Sequence, residues 1–440
     1  MNGNENRNTY YLFIIGILYF IFGFVTWLNG TLIPFLKVAC ELSDFAAYLV
    51  TFAFYISYFV WSLPSANILK KTGMKNGLSV GLFVMAVGSV IFIPAAYMRS
   101  YILFLVALFI MGSGLSLMQT AVNPYVTILG RMDTAARRMS IMGICNKVAG
   151  ILAPIIFGTL LLANLDPLVN QINNVATDEA TKTNLLDSLA HNLINPYIVM
   201  TVILLALAIW IKFTKLPEID EEEDQQHAHT SILSYPYMWF GIMALFFYVG
   251  VEVIAGDTVI RYGNSLGVPT ESAKYFTSLT LIGMVIGYFI GVILIPKVIS
   301  QQKALVYCTL LGMAFTLAAI FIPKEYVWSF KFFDIATFKP IDMQIPVTVF
   351  FVCLLGLANA VVWPAIWPLS IDGLGSHTKT ASALLIMAIA GGALIPLVYG
   401  KLASVESIGT QNAYWVAIPC YIIIFMFATF GYKMGKKHVA

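Results

Sequence analysis

Apolar residues run through this chain in twelve blocks separated by polar or turn-forming breaks, and each block is long enough for a membrane-crossing helix, which needs about 20 residues. The windows fall at 10–36, 45–70, 76–97, 101–129, 137–165, 194–216, 236–264, 271–299, 302–323, 345–373, 378–404 and 411–435. The pattern predicts an all-α membrane protein with twelve transmembrane helices. No short basic stretch, apolar core and small-residue cleavage site precede the first block, so the N-terminus is expected to be retained.

The pattern also divides the chain. Between the sixth and seventh blocks runs Leu216-Pro-Glu-Ile-Asp-Glu-Glu-Glu-Asp-Gln-Gln-His-Ala-His-Thr230, acidic and hydrated. It reads as a linker, giving a six-helix half over 1–215, a linker over 216–235 and a second half over 236–440. The halves are weakly alike. Pro154-Ile-Ile-Phe-Gly158 matches Pro396-Leu-Val-Tyr-Gly400 at an offset of 242, which also pairs Gly150 with Gly392 and Gly114 with Gly356. Gly30-Thr-Leu-Ile33 fits Asp257-Thr-Val-Ile260 at 227, and an insertion in the long polar connection 324–344 accounts for the difference. Parallel six-helix repeats suit alternating access, with a site on the pseudo-symmetry axis.

Composition agrees with the membrane reading: 59% of positions are hydrophobic and 11% charged, against about 25% charged in soluble domains. Placing both termini in the cytoplasm puts fifteen Lys and Arg residues on that side and nine on the other, with Lys147 inside a span. The net charge of +3 is thus a topology signal and carries no hint of nucleic-acid binding. Five scattered cysteines make no disulfide framework or metal site, and the histidines form no catalytic cluster.

Chemistry is carried by the few polar residues at membrane depth, which normally face a bundle interior or a watery path. Gln119 and Asn123 lie four apart in the fourth block, on one helix face, with Pro124 beside them. They fit either solute contact or interhelical hydrogen bonding. In the first block Trp27 and Asn29 offer a stacking surface and an amide. The fifth block holds Asn146 and Lys147, the lysine reading as a paired intramembrane cation or as a side chain snorkelling at a helix end. Glu252 and Asp257 in the seventh block suit a proton relay or oxygen ligands for a small cation, Na+ near Glu252 included; the alternative is a salt bridge to Lys147 or Arg261. About 140° apart on an ideal helix, the two acids share a face only if the helix bends near Gly256. Asn359, Trp363 and Trp367 recur every four residues, predicting one face with an amide and two aromatic surfaces. Such a stripe suits the hydroxyl edges and C–H faces of a sugar, as do Tyr55 and Tyr58, while plain helix packing is the alternative.

Three stretches carry a resemblance: Trp27-Leu-Asn-Gly-Thr-Leu-Ile-Pro34, Gln119-Thr-Ala-Val-Asn-Pro-Tyr-Val-Thr-Ile-Leu-Gly130, and Trp367-Pro-Leu-Ser-Ile-Asp-Gly-Leu-Gly375 with Ala381-Ser-Ala-Leu-Leu-Ile-Met-Ala-Ile-Ala-Gly-Gly392. The chain resembles the fucose, glucose and galactose permease family of the major facilitator superfamily over nearly all twelve blocks. It looks most like the bacterial glucose/galactose branch. The resemblance implies two pseudo-symmetric six-helix halves and sugar uptake across the bacterial inner membrane, driven by a cation gradient. Two departures stand out. Fucose permeases resembling this chain carry an aspartate at the position of Gly30 and a glutamate at that of Gln119, acids tied to proton coupling and substrate binding. A neutral Gln119 hydrogen-bonds a sugar but cannot load a proton. Asn146 matches a family asparagine at the sugar site, whereas a family glutamine one turn earlier is replaced by Gly143.

These readings converge on a secondary transporter that moves a hexose such as glucose or galactose inward with Na+ or H+, without a cofactor and as a monomer in the lipid bilayer. The expected sugar ligands are Asn29, Gln119, Asn123, Asn146, Asn359, Trp363, Trp367, Trp27 and Tyr55. The expected coupling groups are Glu252, Asp257 and Lys147. A uniporter is the alternative, since the usual N-half acids are missing; a non-transporting sugar sensor is a third. No nucleophile–base pair or metal cluster points to an enzyme.

Overall fold

The computed structural model describes residues 2–128, 135–161, 165–172, 179–217, 234–295, 297–334, 339–374 and 378–435. Among the described residues, twelve helical stretches are long and apolar enough to cross a membrane. Spans one to six are Tyr10–Ala39, Phe45–Thr72, Met74–Tyr97, Tyr101–Asn123, Arg138–Leu161 and Glu179–Phe213. Spans seven to twelve are Pro236–Asp257, Thr270–Leu294, Gln301–Phe321, Val347–Ile371, Thr380–Ala403 and Gly409–Thr429. An even number of crossings puts both chain ends on one side, called here the terminal side. Much of the expected linker, 218–233, lies outside the described residues.

Several spans are interrupted, and in span ten the sequence removes a backbone bond at the break. Span ten is a helix to Asn359 and a second helix from Val362, and the break falls where Pro364 supplies no N–H for the carbonyl of Ala360. Span one breaks at Leu28, so Asn2–Trp27 and Asn29–Ala39 are separate helices. Span seven stops at Asp257 and resumes as Val259–Ser265. Span six is longer than the hydropathy window, because the polar helix Glu179–His191 precedes Ile194–Phe213.

The connection after span nine is not simply polar coil. Val327–Asp334 (β1) and Lys339–Pro346 (β2) form an antiparallel hairpin, with Trp328 opposite Ile345 and Phe330 opposite Met343. Met343 and Ile345 are buried, Trp328 packs on Phe350 of span ten, and Phe332 on Tyr275 of span eight. Alternating side chains thus dock one face of the ribbon on the bundle.

The halves meet along symmetric lines. A Cβ at Gly158 or Gly150 of span five would lie 3.1 Å from Lys274 or 2.8 Å from Leu281 of span eight. The matched Gly400 and Gly392 of span eleven face Tyr48 and Tyr55 of span two, at 2.2 and 3.0 Å. The 242-residue repeat is therefore a repeat of packing: small residues let each half's helix press against its neighbour in the other half.

Candidate sugar and ion site

A cavity of about 140 Å3 lies between the halves, from mid-depth toward the terminal side. Spans one, two, four and five of the first half and seven, eight, ten and eleven of the second supply its wall. On the opposite side it is sealed by Tyr48 against Gly400, Lys274 against Gly158 and Trp27 against Gly256.

An ion pair crosses this cavity. Lys147 Nζ of span five lies 2.6 Å from Glu252 Oε1 of span seven and 4.3 Å from the centre of the Trp27 ring. Lys147 is 7% exposed and sits well inside the helix Ala135–Leu161, so it does not snorkel at an end. Two charges withdrawn from water persist only when compensated, and here each compensates the other while the indole face adds to the cation's attraction.

Three amides line the same wall. Gln119 Nε2 donates to the Tyr58 hydroxyl at 3.0 Å, the Tyr19 hydroxyl donates to Asn123 Oδ1 at 2.6 Å, and Asn146 Nδ2 donates to the Tyr19 carbonyl at 3.3 Å. Those bonds fix the amides while Gln119 and Asn146 keep side-chain oxygens for a hydroxyl-bearing solute. Flat apolar surfaces face them. Tyr55 and Tyr58 stack with ring centres 6.3 Å apart, Trp363 stacks on Trp367 at 5.5 Å, and Tyr248 lies 6.4 Å from Trp363. Amide edges and broad rings together match a solute with hydroxyls on its rim and C–H groups on its faces.

Of the residues singled out in the sequence, Trp27, Tyr55, Gln119, Asn123, Asn146, Lys147, Glu252 and Trp363 line the cavity. Three do not. Asn359 is fully buried, its Oδ1 accepting from the Tyr421 hydroxyl at 2.9 Å. The break after Ala360 destroys the four-residue register that placed it with Trp363. Trp367 backs Trp363 without reaching the wall, and Asn29 is enclosed between the halves beyond Trp27. Asp257 is fully buried, away from the cavity, and Arg261 lies over the Tyr48 ring without pairing with it. The continuous helix to Asp257 keeps the two acids on different faces.

Tyr19, Phe22, Met139, Tyr288 and Ile389 are wall residues that sequence reasoning missed. Tyr288 has a partial signal. A Cβ at Gly143 would lie 3.1 Å from the Tyr288 ring, so that ring fills the space left where the resembling family has a glutamine. Nothing in the local sequence of span eight announces this, since 22 tyrosines are scattered through the chain.

The fold and this paired, two-sided cavity are those of a membrane transporter rather than an enzyme. A model of the Major Facilitator Superfamily matches residues 15–395, and the chain belongs to that superfamily. It is 33% identical over 422 residues to the glucose/galactose transporter of Brucella abortus biovar 1 (strain 9-941), covering 95% of this chain and 93% of that one. It is 28% identical to the L-fucose-proton symporter of Escherichia coli (strain K12) over 94% of this chain and 91% of the relative. The crystal structure of the superfamily transporter FucP in the outward conformation aligns with a TM-score of 0.72 at 27% identity, covering 96% of this chain and 98% of that one.

Proposed function

We propose that the protein is a secondary active sugar transporter of the bacterial inner membrane. It takes up a hexose, with glucose and galactose the first candidates, together with H+ or Na+. The observation that carries this is the Lys147–Glu252 pair: it joins the two halves inside a cavity whose remaining wall is amides and aromatic faces. The relatives named as glucose/galactose transporter and fucose–proton symporter support the same substrate class and a cation-coupled cycle. In this reading Gln119, Asn123 and Asn146 bond the sugar hydroxyls, Trp27, Tyr55 and Trp363 cover its faces, and Glu252 and Asp257 handle the coupling ion. The Lys and Arg distribution supports cytoplasmic termini, so the cavity faces inward. The protein works as a monomer, divided as 1–215, 216–235 and 236–440, and needs no cofactor beyond the coupling ion.

One observation favours uniport instead: Glu252, the carboxylate on the cavity wall, is already neutralised by Lys147. Uptake of labelled glucose, galactose and fucose into reconstituted vesicles, with pH and Na+ gradients imposed separately, decides between them. Accumulation above equilibrium under one gradient supports coupling, counterflow that ignores both supports uniport, and no uptake of any hexose overturns the sugar reading.

A further inference from the structure

Beyond the cavity, where spans one and seven meet, an acid is shut in without a partner. Asp257 is fully buried, and neither carboxyl oxygen has a hydrogen-bond partner. Its surroundings offer no replacement. Span one presents Asn29, Gly30 and Thr31, all uncharged and buried, and a Cβ at Gly30 would lie 3.5 Å from the Asp257 Cα. The hydroxyls of span eight are spent elsewhere: Thr277 donates to the Gly256 carbonyl at 2.6 Å and Thr280 to that of Ala255 at 3.1 Å. Both side-chain polar atoms of Asn29 and the hydroxyl of Thr31 are also buried without a protein partner.

The charged and titratable groups around it are otherwise engaged. Glu252, five residues before on the same span, holds Lys147 of span five. Tyr55 of span two, a titratable neighbour, stacks on Tyr58. Arg261, one turn further, covers the Tyr48 ring, and Lys274 at the start of span eight covers that of Tyr275. An ionised carboxylate in such a place is costly because nothing replaces its water, whereas a neutral carboxylic acid tolerates it far better.

We propose that Asp257 is a proton-operated latch: the contact between spans one and seven closes only when this carboxyl carries a proton, and loss of that proton to water opens it. Closure then takes up one proton, so the closed-to-open ratio falls as pH rises. The fall is about tenfold per pH unit while the open form is ionised and the closed form is not. Gly256 lets the Trp27 ring of span one lie against span seven, since a Cβ there would fall 2.1 Å from it, and a Cβ at Gly30 would lie 3.4 Å from the Gly256 carbonyl oxygen. The latch deepens the coupled reading above by supplying its H+ arm. Its tests use no sugar, so a failure of hexose uptake leaves them standing.

The test is hydrogen–deuterium exchange of the full-length protein in lipid nanodiscs, read on peptides covering 28–40 and 258–274 and corrected for the intrinsic exchange rate at each pH. In the wild type, protection of both segments should fall tenfold or more between about pH 6 and about pH 9. Asp257→Asn should keep both protected at either pH. Gly30→Ala should loosen the contact yet retain the pH response. A pH response of undiminished size in Asp257→Asn overturns the latch. Should that variant lose protection throughout the bundle, infrared spectroscopy of the wild type decides: a protonated carboxylic acid at neutral pH that persists in Glu252→Gln is expected, and its absence overturns the proposal.

Discussion

Lys147 and Glu252 meet at 2.6 Å across the boundary between the two halves, so rocking of the halves must either part them or carry them together. Removing one partner strands the other. Glu252→Gln should destabilise the protein by about 3–5 kcal/mol and abolish concentrative uptake while sparing exchange. Lys147→Met combined with Glu252→Leu should recover most of that stability without restoring accumulation. Thermal unfolding and gradient-driven uptake of the single and double variants check both statements.

Gln119 is held by Tyr58 and offers its remaining oxygen to the cavity. Gln119→Ala should weaken sugar binding about tenfold, the equivalent of one hydrogen bond of about 1.4 kcal/mol. Tyr58→Phe should have a smaller effect, because it frees the amide without deleting it. Titration of tryptophan fluorescence with the transported hexose measures the difference.

Trp363 and Trp367 stack on each other, yet only the first reaches the cavity wall. Trp363→Ala should lower sugar affinity by tenfold or more. Asn359→Ala should leave affinity unchanged and cost about 1–3 kcal/mol of stability, since it strands the buried Tyr421 hydroxyl. If Asn359→Ala reduces affinity as much as Trp363→Ala does, the placement of span ten is wrong.

Span one presses on span five at Gly23, where an added Cβ would fall 1.8 Å from the Asn146 carbonyl oxygen. Gly23→Ala should therefore push Asn146 off the wall and lower both thermal stability and sugar affinity. The equally small change Gly267→Ala, at a turn with open space but a φ of +86°, should cost stability alone.

Just past the end of span one, burial pushes the Cys40 thiol up to about 11, against the opposing pull of Arg99. The reactive thiolate is then scarce at neutral pH and grows about tenfold per pH unit below that value. Alkylation of Cys40, followed by peptide mass spectrometry, should be slow near neutrality and accelerate steeply up to about pH 10. A rate that levels off near pH 9 would contradict the burial.

Hydropathy revealed the twelve spans because lipid leaves a backbone few choices, so the signal is long and repeated. The pairing of Gly150 with Gly392 and of Gly158 with Gly400 was legible too, as close interhelical contact tolerates few other residues. The hairpin was missed because Lys331, Asp334 and Lys339 made 324–344 look like polar coil, although Trp328, Phe330 and Phe332 alternate as a strand does. Asn359 was misplaced for a related reason. A four-residue register was carried across Ala360 and Val361, where one helix ends and the next begins. Tyr288 reaches the wall from a helix remote in sequence, and no local pattern encodes such a meeting.

The β1–β2 hairpin has a practical consequence for imaging. A 48.6 kDa chain buried in a detergent belt gives an electron micrograph little to align on. A ribbon anchored through Trp328 and Phe332 to spans ten and eight is an ordered extramembrane epitope. A binding fragment raised against it would serve as a rigid fiducial and report the tilt of the second half in each captured particle.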